Sequence, residues 1–453
     1  MKKLLATLLA STMALTAIGG LVACGDGGEG SGAEAGLKPA DFSKVTHLDD
    51  PLLDKEDETN AKVAACTISV WAPAEIIPTF EAMMETFKSA DYHEGKYADV
   101  TVNFEAKEEG KVQDALGTDA SVAASADLFF FPSDHTGNMI RNNWLLPLRG
   151  ATGSYYSAAV MQRDDKGCTD VVNQNGYAYA FPATNDNGYY LVYNKSDLTE
   201  DEADNLDTIL AKAEEKEKKF VWDYGSGYYL PTFFFGTGVE LDMRGPKSKF
   251  DSFNSPEAEL GAKAMIKYIN NSNIIKSTGN GSSVKGIMDG EVIAGFCGTW
   301  EAPTEEQRNA GVGLKKLPMF TVNADNSGTK YQMGGFYGGK YCGINSNTKN
   351  AAVAMAVANY LTNSAAQLKR FEVQQTGPSN KTIAAREDVQ NNPSLKAYLA
   401  QATAGGVAQG DIMGSYWSGI QTYADDISNG KVTLTNLGLA NLVKAMAGML
   451  EAE

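Results

Sequence analysis

The chain has 453 residues, too many for one ordinary hydrophobic core, and its length calls for two or three domains. Hydrophobic residues are 43% and charged residues 21%, the balance of a globular protein. Acidic residues outnumber basic ones 56 to 39 for a net charge of −17, which excludes nucleic acid as a partner, since that needs clustered Lys and Arg.

The N-terminus reads MKKLLATLLASTMALTAIGGLVAC. Two lysines, an apolar run and then small residues make residues 1–23 a secretory signal peptide. The end of that stretch, Leu21-Val22-Ala23-Cys24, resembles the bacterial lipobox. It implies that Cys24 becomes the first mature residue and carries lipid. After Cys24 comes GDGGEGSGAEAG, too poor in apolar side chains to fold, and residues 24–62 read as a flexible tether. The globular body is therefore expected outside the cell, held to the membrane through its lipid anchor only. No later segment reaches the ~18 uninterrupted apolar residues of a membrane span.

CTISVW (66–71) reads as a strand, and Pro78 suits the first turn of the helix that Ile77, Phe80, Met84 and Phe87 mark at helical spacing. VTVNF (100–104) alternates as a strand does. DLFFF (127–131), GYAYAFP (176–182) and GYYLVYN (188–194) are further strands, followed by a charged helix over about 199–218. VIAGFCG (292–298) is a buried strand, and GGFYGGKY around Phe336 and Tyr337 reads as a glycine-rich turn. The C-terminal third is mostly helical, about 348–373, 393–403, 415–428 and 433–450. Helices interleaved with short apolar strands predict an α/β architecture with largely parallel sheets.

Several chemistries lack their signatures. There is no H-E-x-x-H, no G-x-S-x-G elbow, no P-loop and no C-x-x-C, and no G-x-G-x-x-G between a strand and a helix, the one match being GDGGEG (25–30) in the Gly-rich tether. No metal or cofactor is expected, and the chain reads as a binding protein, not an enzyme. Cys66, Cys168, Cys297 and Cys342 can form two disulfides in three pairings or remain free thiols.

What the chain has instead is aromatic rings at turns. FVWDYGSGYYLPTFFF (220–235) is half aromatic and broken by two glycines and a proline. Trp71 ends a strand, Trp300 follows one, and Trp417 opens a helix. In open α/β sheets ligands bind beyond the carboxyl ends of strands, so such rings border a crevice. Beside them lie Glu75, Asp134, Asn185, Asp186 and Asp223. Rings that pack on flat C–H faces, with carboxylates and amides for hydroxyls, suit a sugar. Phe129, Phe130 and Phe233 to Phe235 read as core.

The order of segments resembles the extracellular solute-binding proteins of carbohydrate ABC importers, the maltose/maltodextrin-binding group. The likeness rests on ADLFFFPSDHTGNMIRNNWLLPL (126–148), GYAYAFPATNDNGYYLVYNKSDL (176–198), GIMDGEVIAGFCGTWEA (286–302), GINSNTKNAAVAMAVANYLTN (343–363) and GDIMGSYWSGIQTYADDISNG (410–430). It implies two α/β lobes around a ligand cleft, 63–182 plus 341–388 and 183–340 plus 389–453. Crossings are expected near Pro182-Ala183, Phe336 to Tyr341 and 385–392. It puts Trp71, Glu75, Asp134 and His135 on one wall and Tyr228, Tyr229, Trp300 and Trp417 on the other. Asn185 or Asp186 would take the hinge position where maltose binders use a carboxylate. Trp222, Tyr224 and Tyr337 complete the expected site. His135 stands where the group often has arginine, and Phe131 where it often has tryptophan. The implied ligand is an oligosaccharide, maltose-like first, and the implied partner an ABC permease served by a monomer. A polyamine binder is the second reading, because rings with acids also hold ammonium groups. An extracellular glycosidase is the third.

Overall fold

The computed structural model describes residues 62–148, 155–174, 176–241, 250–410 and 412–449. The expected signal peptide, Cys24 and the tether up to residue 61 lie outside the described residues.

The strands in chain order are β1 (Cys66–Ala72), β2 (Val100–Ala106), β3 (Leu128–Pro132), β4 (Asn173–Gln174), β5 (Tyr177–Ala178), β6 (Ala180–Asn194) and β7 (Lys219–Trp222). They continue as β8 (Ile274–Lys276), β9 (Val292–Gly298), β10 (Val312–Lys315), β11 (Met319–Thr321), β12 (Lys330–Gln332), β13 (Gly335–Ile344) and β14 (Gly406–Ala408). Ten of them form one mixed sheet along the path β2-β1-β3-β13-β6-β9-β7-β8, with β10 also on β6 and β14 also on β13. The flanks are parallel, as Cys66 opposite Val100 and Phe220 opposite Ile274 show. The centre is antiparallel: β13 runs against β3 and β6, and β6 against β9. The expectation of largely parallel sheets therefore holds only for the flanks.

β3 (LFFFP) and β9 (VIAGFCG) are buried at every position, so they read as unbroken apolar runs instead of alternating ones. The helix Ile77–Phe87 begins with Pro78 in its first turn and buries Phe80, Met84 and Phe87. Two large buried clusters follow from this layout. One draws on residues from Ile68 to Ala183 and again from Tyr341 to Leu361. The other runs from Tyr189 to Phe336 and returns through Ile412 to Met446.

Two strands join the clusters. β6 has 15 residues, and the expected separate strands at 176–182 and 188–194 are largely this one element. Its first part pairs with β13 at Phe181 opposite Cys342, and its last part with β9 at Tyr193 opposite Ala294. The β6–β13 register slips on both sides of Lys340, so β6 carries extra residues between Pro182 and Asn187. The GGFYGGKY segment is β13, a strand and not a turn. Its glycines answer a crowding that the sequence alone does not reveal. A Cβ on Gly338 would stand 2.3 Å from Ser133 Oγ, and one on Gly339 2.5 Å from the Thr184 carbonyl.

Three helices differ from their expected spans. The 199–218 segment is a short 3-10 turn and the helix Leu206–Glu215, ended by β7. The 348–373 segment is two helices, Ala351–Thr362 and Ser364–Gln374, because Asn363 breaks the first and caps the second at Ala366 N–H, 3.0 Å. The last helix is confined to Leu439–Met446. Cys66, Cys168, Cys297 and Cys342 are free thiols. Among the described residues no helix is long and apolar enough to cross a membrane.

Candidate functional site

The ends of β3, β7 and β9 and the middle of β6 and β13 deliver one set of side chains. The 3-10 turn Ser133–His135 follows β3 and carries Asp134 and His135. The turn Thr299–Glu301 follows β9 and carries Trp300. Tyr228 and Tyr229 follow β7, and Trp417 sits in the first turn of the helix Gly414–Ser428. Asp186 and Lys340 come from the two crossing strands. The strand ends thus converge as they do at the binding edge of open α/β sheets.

The rings form a chain. Tyr228 lies 5.8 Å from Trp300, 5.3 Å from Tyr229 and 5.6 Å from Phe336. Phe336 lies 6.3 Å from Trp417, and Tyr189 closes the group at 5.4 Å from Tyr228. Trp300 is 37% exposed, unusual for so large an apolar side chain, and its indole lies flat over Gly298.

Polar atoms without partners occur on Tyr228 itself and on Asp134 and Asp186, which lie close enough to act on its hydroxyl. Asp134 Oδ1, His135 Nδ1 and the Tyr228 hydroxyl are buried and make no hydrogen bond. Asp186 Oδ2 accepts from the Gly377 N–H at 2.7 Å, while Oδ1 and the adjacent Thr184 hydroxyl make no well-formed bond. A buried polar atom left so costs ~1–3 kcal/mol, so this is hydrogen-bonding capacity held in reserve at a cost. Burial pushes the Asp134 carboxyl up, opposed by His135, whose Nε2 is 3.9 Å away. Burial likewise raises Asp186, opposed chiefly by Lys340. Burial raises Tyr228, and nearby Tyr189, Tyr398, Asp134 and Asp186 raise it further, so its hydroxyl stays protonated. Neutral donors and burial-raised carboxyls beside rings make a surface for a polar ligand with apolar faces.

Sequence reasoning missed the charged and amide groups that tie the crossing together. Lys340 donates to Glu109 at 2.8 Å and lies 5.9 Å from the Trp300 ring centre. Arg370 reaches the other Glu109 oxygen at 3.3 Å. Gln409 Oε1 accepts from Asn187 at 2.7 Å and from Ser133 at 3.2 Å, joining β6 to the turn after β3. A lysine among the glycines of GGFYGGKY was the one available signal. Glu109, Arg370 and Gln409 sit in unremarkable local sequence.

Other expected residues stand apart from this set. Trp222 is corrected from wall to core: it is 1% exposed and packs 5.3 Å from Phe233, because the helix Thr232–Thr237 folds back over the end of β7. Tyr229 touches the set through Tyr228 but is itself largely buried, in an edge contact with Tyr189 at 4.7 Å. Tyr224 lies against Trp222, with Lys276 5.9 Å from its ring centre. Trp71 donates to Glu105 at 2.9 Å under Lys107, 4.5 Å from its ring. Glu75 is exposed, in the turn before the helix Ile77–Phe87. Asn185 is half-buried and its N–H donates to the Gly377 carbonyl at 2.7 Å. Tyr337 is half-buried against a small cluster that includes Tyr190 and Tyr398. Among the described residues no group of three or more His, Cys, Asp or Glu is placed to hold a metal ion.

Comparison with known proteins places the fold. Solved structures match over nearly the whole described body. One determined with acarbose is 24% identical, with a TM-score of 0.73, covering 86% of this chain and 100% of its own. The maltodextrin binding protein MalE1 from L. casei BL23, without ligand, is 19% identical with a TM-score of 0.69, covering 85% and 100%. The maltose-maltodextrin binding protein of Alicyclobacillus acidocaldarius is 18% identical with a TM-score of 0.67, covering 84% and 100%. No curated protein matches the chain. The mixed sheet with its two crossing strands is thus the two-lobed α/β fold of solute-binding proteins. Residues 82–397 match the family described as bacterial extracellular solute-binding protein, and the chain belongs to that family.

Proposed function

We propose that this protein captures an oligosaccharide, maltose or a malto-oligosaccharide first, and delivers it to an ABC permease without chemical change. The observation that carries the reading is the meeting of a ring chain, which runs from exposed Trp300 through half-buried Tyr228 and buried Phe336 to half-buried Trp417, with the unpartnered atoms of Tyr228, the nearby Asp134 and its neighbour His135. Flat C–H faces stack on the rings and hydroxyls take the polar atoms. Structures of similar fold were determined with acarbose, maltotetraose and maltotriose, which supports the same ligand class. A polyamine is the weaker reading, because lysines of the chain itself, Lys340 and Lys276, already lie over Trp300 and Tyr224.

The lobes in this reading are 63–182 plus 341–388 and 183–340 plus 389–453, with crossings at β6, β13 and 385–392. Bound sugar touches both and favours the closed arrangement in proportion to its differential affinity. Residues 1–23 act as a signal peptide, Cys24 carries lipid, and the monomer works at the outer face of the cell membrane. A thermal-shift screen of malto-oligosaccharides, other sugars and spermidine tests the ligand, with reducing-end release as the check for hydrolysis. Stabilisation by spermidine alone, or release of reducing ends, overturns the reading. Cys24→Ala should leave the protein unprocessed or free of the membrane; normal cleavage with unchanged membrane fractionation contradicts the anchor.

A further inference from the structure

Trp300 is 37% exposed, yet its orientation is determined by a closed circuit of hydrogen bonds. Its indole Nε1–H donates to Asn280 Oδ1 at 3.3 Å. Asn280 belongs to the turn that precedes the helix Ser282–Met288, a segment 20 residues away in sequence. The two segments are joined by one side chain. Glu301 Oε1 accepts the Gly298 N–H at 2.7 Å, and Oε2 accepts the Gly281 N–H. The circuit therefore runs from Trp300 to Asn280, along the backbone to Gly281, through the Glu301 carboxylate and back to Gly298. A second tie fixes the same turn from below, where the Thr299 hydroxyl donates to the Asp186 carbonyl on β6.

The shape of the floor agrees. A Cβ on Gly298 would stand 2.4 Å from Trp300 Cε2 and Cζ2, so the indole rests on bare backbone whose N–H is the one Glu301 holds. Without the carboxylate, the turn at Gly281 loses its tether and Asn280 moves with it. An exposed indole that loses its hydrogen bond keeps only the Gly298 floor, the Tyr228 ring at 5.8 Å and Lys340 at 5.9 Å to orient it, and a stacking face that samples several directions binds more weakly because ordering it costs affinity.

We propose that Glu301 is the positioning residue of the Trp300 platform: its carboxylate ties the Asn280–Gly281 turn to the end of β9 and so sets the indole plane that a sugar ring meets. This inference rests on the reading of Trp300 as a stacking surface for sugar. Glu301 itself touches no ligand in this account, and it acts only through Trp300.

The test uses the whole chain with Glu301→Ala, Glu301→Gln and Asn280→Ala, each alone and combined with Trp300→Ala. Maltotriose affinity is read by calorimetry and the Trp300 contribution to emission as the difference between each protein and its Trp300→Phe counterpart. Glu301→Ala should weaken binding about tenfold. Glu301→Gln, which keeps one acceptor oxygen, should lose less, and Asn280→Ala a few-fold. In the Trp300→Ala background each further loss should nearly vanish, because residues that act through one another are not additive. The Trp300 emission should shift in Glu301→Ala without any ligand. Equal losses with and without Trp300, or an unchanged Trp300 emission in all three variants, overturn the proposal. If maltotriose does not bind the unaltered protein but the emission shifts as stated, the positioning role stands and the sugar reading is what fails. If Glu301→Ala does not fold, Glu301→Gln and Asn280→Ala carry the same test.

Discussion

Glu109 is the anion on which the crossing depends, and replacing it should cost more than replacing Lys340, one of its two partners. It is 7% exposed, and its two oxygens are used by Lys340 at 2.8 Å and Arg370 at 3.3 Å. Arg370 is 1% exposed, and its Nε and Nη1 make no hydrogen bond, so Glu109 is the one anion it pairs with among the described residues. Glu109→Gln leaves that guanidinium buried without a counter-charge, and breaking a buried pair in this way costs about 3–5 kcal/mol. Lys340→Met is milder. The Lys340 side chain is 12% exposed and Glu109 keeps Arg370, so the loss is that of one hydrogen bond to a charged group, about 1.5–3 kcal/mol. The double variant should cost less than the sum. Acid sensitivity follows from the same pairings. Burial alone would push the Glu109 carboxyl up, but Lys340 and Arg370 together outweigh it and hold the carboxyl below its ordinary value. A carboxyl lowered on folding stabilises fully above its unfolded pKa, and that contribution is lost as pH falls through the folded value. Lys340→Met should therefore shrink the fall in stability between about pH 5 and pH 2. Urea unfolding of the three variants across that range is the assay. A Glu109→Gln cost no greater than that of Lys340→Met, or an acid dependence that Lys340→Met leaves untouched, would refute the reasoning.

The tryptophans divide by which observable moves. Trp300→Ala and Trp417→Ala should cost roughly 1 kcal/mol of stability but weaken maltotriose binding more than tenfold. Trp222→Ala should do the reverse, costing ~3–5 kcal/mol of stability because Trp222 is core. Urea unfolding without ligand and calorimetry with maltotriose separate the two classes. Gly227→Ala places a Cβ 3.0 Å from Trp417 Cε3 and 3.1 Å from Ile420 Cγ2. It should displace the Trp417 ring and reduce affinity several-fold with stability nearly kept; unchanged affinity would remove Trp417 from the site.

The sequence made the flanks of the fold readable and left the centre obscure. LFFF of DLFFF and VIAGFCG are buried apolar runs, and CTISVW buries Ile68, Val70 and Trp71 between more exposed polar residues; both patterns declare themselves by composition. β13 did not, because GGFYGGKY has the glycines of a turn; they are there for close packing against Ser133 and Thr184, residues distant in sequence. The ring cluster was legible for the same local reason that misled at Trp222. FVWDYGSGYYLPTFFF announces aromatic side chains beside turns, but which of them the helix Thr232–Thr237 covers is a tertiary fact. Asp134 and His135 could be read from their place after an apolar strand. Glu109, Arg370 and Gln409 could not, since each matters through a partner more than 200 residues away in the chain.

Calorimetric titration of the unaltered protein with maltotriose, with spermidine as comparator, tests the central claim most directly. The account predicts saturable binding of maltotriose at a single site, lost more than tenfold in Trp300→Ala, and no saturable heat from spermidine. Absence of binding by every malto-oligosaccharide tried, with saturable binding of spermidine to the same folded protein, would contradict it.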